Sequence, residues 1–199
     1  MNKINIPERM HLEKIKAIKF GFFNNEILRE NLAIKMQNIM FLDDLSEHFE
    51  LPGSVSYPTY KTIIIYTASI VESLINYKLH ELIKSGKINP REIMGKEEKF
   101  PICKQIYRLS ETEEICGVKK VTELKKLNDA TNFIELNRIA KRCGLFTKDL
   151  FTKAEEIRYA RNRIHVFSLQ EIDDKYTKAD INDIFLAAGE ITERIKFYK

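Results

Sequence analysis

Turn-forming residues are scarce in this chain. It holds seven Gly and five Pro in 199 residues, about 6% where roughly 12% is usual. A many-stranded sandwich or barrel needs a breaker at every corner, and this chain cannot supply them. The scarcity points to a mainly α protein. Hydrophobic residues make up 44% and charged residues 31%, which excludes disorder as the state of the whole chain. A length of 199 residues implies one domain that buries one sizeable core, with room for an added lobe.

The punctuation falls between periodic segments. Leu12, Ile15, Ile18 and Phe22 recur at helical spacing, as do Ile27, Leu28, Leu32, Met36, Ile39 and Met40. Asn25 suits the N-cap of the second helix. The stretch Leu51-Pro52-Gly53-Ser54 is the best candidate for a boundary. A long helix is expected over 59–85, with Pro58 near its start and Gly86 as its C-cap. Its broad apolar stripe (Ile64, Ala68, Val71, Leu74, Ile75, Leu79, Leu82) implies more than one neighbour. Glu72 and Asn76 lie one turn apart beside that stripe, either as a solvated face or as support for a polar site.

Segments 102–109 and 114–121 alternate with period two around Ser110-Glu111-Thr112-Glu113, the pattern of a small inserted β-hairpin. Lys119, Lys120, Lys125 and Lys126 flank its second arm, as on an exposed edge. Three more helices are expected: 132–143, ended by Gly144; one from the N-cap Thr147 to about residue 167; and a last one after Thr177, with Asp180 completing a capping box. The organisation that follows is an N-terminal helical extension over 1–51 and a compact helical bundle over 58–199 with an insertion at about 86–131.

Cys103, Cys116 and Cys143 form no C-x-x-C pair, and none lies near His11, His48, His80 or His165 at zinc-ligand spacing. No metal and no cofactor is expected. Reduced thiols suit the cytoplasm, and charged Glu8 and Arg9 precede any apolar run, unlike a signal peptide. The longest apolar run, Ile63-Ile64-Ile65 beside Tyr66, is too short for a membrane span.

The net charge of +4 says little alone, but its distribution is uneven. Residues 157–167 hold Arg158, Arg161, Arg163 and no acid; residues 137–143 hold Arg138, Lys141, Arg142 and no acid. The helix after Thr147 carries the one constellation with chemical promise. Arg158, Arg161, Asn162 and His165 fall within an arc of roughly 100° on a helical wheel, at the edge of the stripe Leu150, Ala154, Ile157 and Ile164. No carboxylate stands among them, so either an anion is expected there, or Arg158 pairs with Glu155 or with Glu72 in a purely stabilising role. The residue types suit metal-free cleavage of an RNA phosphodiester. His titrates near neutrality and serves as general acid or base. A guanidinium matches two phosphate oxygens and stabilises phosphorane charge. Asn orients phosphate or imidazole. Arg138, Lys141 and Arg142 read either as a solvated face or as the rim of an RNA-binding groove.

An Arg, a short spacer and a His on one helix near the C-terminus, after a long helix, resembles the HEPN superfamily. The family pattern is an Arg, then usually a polar residue, with four to six residues in all before the His. Arg158 stands seven positions before His165 but is followed by Tyr159; Arg161 is followed by Asn162 but stands only four positions before His165. The resemblance covers roughly 58–199. It implies a compact helical bundle, a metal-independent endoribonuclease and a homodimer whose two motif helices build one composite groove. It also implies catalytic roles for His165, Arg158, Arg161 and Asn162, with Glu72 as the supporting acid. Its members include toxins and phage-defence enzymes, so an antitoxin or nucleotidyltransferase partner is a further implication. Other members only bind RNA or nucleotide, or act as scaffolds. A non-catalytic binding module and a helical interaction protein are therefore the competing readings.

Overall fold

The computed structural model describes residues 7–94, 96–124, 126–128, 130–164 and 176–198. After a short 3-10 turn at Glu8–Met10, the chain forms α1 (Leu12–Phe20), α2 (Glu26–His48), α3 (Gly53–Lys84) and α4 (Pro90–Ile93). Strands β1 (Lys96–Arg108) and β2 (Glu114–Leu124) follow, then α5 (Phe133–Arg142), α6 (Lys148–Arg163) and α7 (Lys178–Phe197). The protein is mainly α with a two-stranded sheet. It divides into one unit of Met1–Leu79 with Asn132–Lys199 and a second of His80–Thr131.

The first unit is a helical bundle. Ile63, Ile64, Ala68, Val71, Leu74, Ile75 and Leu79 of α3 are all fully buried. So wide an apolar arc requires neighbours on several sides. Those neighbours contribute Leu32 and Ile39 from α2, Phe133, Leu136 and Ile139 from α5, Ala154 and Ile157 from α6, and Ile181, Ile191 and Ile195 from α7. Each fully buried Leu, Ile or Phe contributes about 1.5–3 kcal/mol by leaving water. The helices before residue 52 belong to this same unit. Polar links also tie α2 into it: Lys35 donates to Ser69 on α3, and Lys178 at the start of α7 reaches Glu47 at 2.8 Å.

Local signals set most helix ends. Asn25, Asn132 and Thr147 accept from backbone N–H groups at the starts of α2, α5 and α6. Thr177 and Asp180 form a reciprocal capping box on α7. Gly86 and Gly144 take positive φ of 72° and 76° just beyond α3 and α5, where a Cβ would be strained. Arg194 of α7 donates to the carbonyls of Leu145 at 2.8 Å and Gly144 at 3.2 Å, holding the α5–α6 turn.

Helix α3 starts earlier than its sequence implies. It begins at Gly53, so Pro58 lies inside it. Pro52 supplies the first acceptor, to Val55 and Ser56. Proline φ is already helical, and its missing N–H falls in the second turn. Thr59 and Thr62 bond back to the carbonyls of Val55 and Pro58, each at 2.8 Å.

In the second unit, β1 and β2 pair antiparallel from Lys96↔Leu124 to Arg108↔Glu114. The turn is closed by Leu109 N–H to Glu113 O at 2.9 Å, with the Ser110 hydroxyl accepting from Thr112 and Glu113. The hairpin bends at two register shifts. A Cβ at Gly117 would lie 2.6 Å from the tip of the exposed Ile106 side chain, which would have to turn aside.

Candidate functional site

The Arg-rich face of α6 is built by register with α3 and α5. Ala154 and Ile157 are fully buried, which turns Arg158 and Arg161 onto the flank of the buried stripe. The two arginines have different environments.

Arg158 is only 8% exposed. Its Nε donates to both Glu155 oxygens at 3.1 and 3.0 Å, and Nη2 donates to Oε2 at 2.7 Å. Its guanidinium also lies 4.2 Å from the Tyr159 ring centre. Glu155 in turn accepts 2.7 Å from Asn137 Nδ2 on α5. Asn137 is fully buried. Burial alone would push the Glu155 carboxyl up, but the hydrogen bonds from Arg158 and Asn137 outweigh it and hold it below the ordinary glutamate range. The bonds it donates to Glu155 push the Arg158 guanidinium up.

Arg161 reaches across to α3, where its Nη1 donates to Glu72 Oε2 at 2.6 Å. This pair is partly open, with side chains 30% and 27% exposed. The Phe133 ring lies 5.7 Å from the guanidinium. One turn along α3, the buried Asn76 Oδ1 has no partner, and neither has Asn137 Oδ1. Asn162 is half-buried beside Arg161. His165 lies outside the described residues, as does the expected run of its helix to residue 167; α6 ends at Arg163 with Ile164 as C-cap.

The acid-free reading of this face is corrected, and of the two acids offered as stabilising partners for Arg158 the structure supplies Glu155, while Glu72 goes to Arg161. Glu155 and Glu72 supply carboxylates to both arginines. On α5, Glu135 does the same, 2.5 Å from Arg142 and 3.9 Å from Arg138. Lys141 stands 4.4 Å from the Phe151 ring centre. Each of these acids sits just outside the windows that looked acid-free: three residues before Arg158, three before Arg138, or on another helix.

Comparison with family models, with curated proteins and with solved structures finds no match. The site is therefore read from its own chemistry. Among the described residues no three His, Cys, Asp or Glu side chains could together hold a metal ion, and no helix is long and apolar enough to cross a membrane. The structure brings Arg161 to Glu72 and pairs Arg158 with Glu155 instead. Asn137 was not singled out by the sequence. The signal was present, because it lies four residues after Phe133 and between Leu136 and Ala140 on a buried face, a place where a polar residue needs a partner.

Proposed function

We propose that the seam between α3 and α6 binds the phosphodiester backbone of RNA and cleaves it without a metal, in the manner of a HEPN-type endoribonuclease. The Arg161–Glu72 pair carries this reading. It is a half-buried charged fork held by one hydrogen bond and more open to water than Arg158–Glu155, so it contributes only about 1 kcal/mol. A phosphate can displace the carboxylate and take the guanidinium in a two-pronged contact. Arg158 positions the helix rather than meeting substrate, because its fork is already filled by Glu155 and shielded from water.

In the reaction the ribose 2′-OH loses its proton and attacks phosphorus. The bond to the 5′ oxygen breaks as that oxygen gains a proton, leaving a 2′,3′-cyclic phosphate. His165 serves as the acid or base, Arg161 neutralises the phosphorane oxygens, and Asn162 orients. One chain offers one such His; a homodimer with facing α6 helices would supply the second. Arg138 and Lys141 extend the basic surface along α5.

The test is incubation of the purified protein with RNA in EDTA and analysis of product ends. Cyclic phosphate termini are expected. His165→Ala should cost about 10²–10⁴-fold and Arg161→Ala about 10²-fold or more. Cleavage indifferent to both substitutions would reject the proposal. A second reading, a binding module without cleavage, is favoured by one observation: both arginines already carry internal carboxylates. It predicts RNA binding weakened by Arg161→Ala and unchanged by His165→Ala, with no products.

A further inference from the structure

Among the described residues the sheet of the second unit holds β1 and β2 alone. Both strands are therefore edges, each with a row of main-chain groups turned outward. The two edges differ. Each register shift adds a residue to β1, between Lys99 and Ile102 and between Gln105 and Tyr107, and Pro101 interrupts β1 as well. Bulges and proline blunt an edge. Strand β2 has neither from Glu114 to Leu124. Two strands alone are marginal in water, and three or more with an apolar face are needed for independent stability. This pair leaves Ile106, Tyr107, Ile115 and Val118 exposed.

Charge narrows what can join β2. Lys119 and Lys120 are exposed at its middle, and lysines on an edge deter most strands. A partner strand must bring acids to them. Strand β2 does so itself when it pairs antiparallel with a second copy about a two-fold axis at Gly117. Glu114 of each copy then stands opposite Lys120 of the other, Glu113 stands diagonal to Lys119, and Val118 stands opposite Cys116. An axis at Lys119 would set lysine against lysine. An axis at Cys116 would need Thr112 and Glu113, whose N–H groups already bond the Ser110 hydroxyl. At Gly117 every directly opposed residue over 114–120 lies inside β2, and the axis itself meets no side chain.

We propose that β2 pairs with β2 of a second copy of this chain, antiparallel and centred on Gly117, joining two hairpins into one four-stranded sheet. The contact is isologous, so each charge pair occurs twice. Main-chain hydrogen bonds along the regular edge supply attraction, and the Glu114–Lys120 pairs fix the register. This contact is separate from the facing α6 helices invoked for RNA cleavage and does not rest on them.

Sedimentation velocity of the full chain across a dilution series tests this, and a reversible dimer is expected. Glu114→Lys alone, or Lys120→Glu alone, sets like charges opposite each other and should weaken the dimer about tenfold or more. The double change Glu114→Lys with Lys120→Glu restores opposite charges and should recover the parent affinity to within about threefold. Within one chain the two residues stand six positions apart, about 20 Å along the strand, so rescue can arise only between copies. Both residues are exposed, and circular dichroism checks that the variants fold. A parent chain that stays monomeric throughout the series would overturn the proposal. So would a dimer indifferent to the single reversals, which places the contact elsewhere, or a double reversal that associates no more tightly than the single ones.

Discussion

Arg158 and Glu155 are both nearly sealed from water, with side chains 10% and 15% exposed, so removing one leaves the other charged and stranded. Glu155→Gln should lower stability by about 3 kcal/mol in urea unfolding. The double change Glu155→Gln with Arg158→Met should cost less than Glu155→Gln alone, because the stranded charge is gone as well. The pair also sets an acid limit. The Glu155 carboxyl is held below its ordinary value of 4.5, so the unfolded chain binds the proton more readily. Its contribution is complete above pH 4.5 and is lost as the pH falls through the lower folded value. Thermal melts below that pH should fall less steeply for Glu155→Gln than for the parent. Arg161 and Glu72 behave oppositely, because water already reaches both. Glu72→Gln should cost under about 1 kcal/mol and, by freeing the guanidinium, tighten RNA binding measured by fluorescence anisotropy.

At the scale of elements, caps carry much of the definition. Gly144 ends α5 at φ +76°, and a side chain there costs roughly 1–2 kcal/mol. Gly144→Ala should therefore lower the urea midpoint, and Thr147→Ala, which removes the α6 N-cap bond, should cost about 1 kcal/mol. These signals are local, which is why Asn25, Thr147 and the Thr177–Asp180 box could be read from neighbouring residues. The hairpin was legible for the same reason: alternation of period two on both sides of Ser110-Glu111-Thr112-Glu113. The start of α3 was not. Pro52, Gly53 and Pro58 each argue for an interruption, yet a long apolar face further along the helix holds the first turns in register, and tertiary burial outweighs local propensity.

At the scale of the molecule, the charge of +4 looked concentrated in two basic stretches. Folding brings Glu135, Glu155 and Glu72 onto them, so the surface is less one-sided than the windows implied. RNA binding under the proposed function should accordingly show a shallow salt dependence, set by the few phosphate contacts that Arg161, Arg138 and Lys141 can make. A steep slope would mean a basic surface elsewhere. Light scattering should find a homodimer if two α6 helices share one groove; a monomer at working concentration would separate the site from that arrangement.

The order of elements, their caps and the mainly α architecture were written in the sequence, because helix periodicity and cap chemistry act over three or four neighbouring residues. The fate of charged and polar side chains was not, beyond i,i+3 neighbours such as Glu155 and Arg158. Glu72 lies 89 positions before Arg161, and Asn137 finds Glu155 only because α5 packs against α6. Partnership across helices and burial depend on distance in space, which no local pattern encodes, and so the tertiary structure decided which arginine is sealed from water with its carboxylate and which keeps a partly open pair.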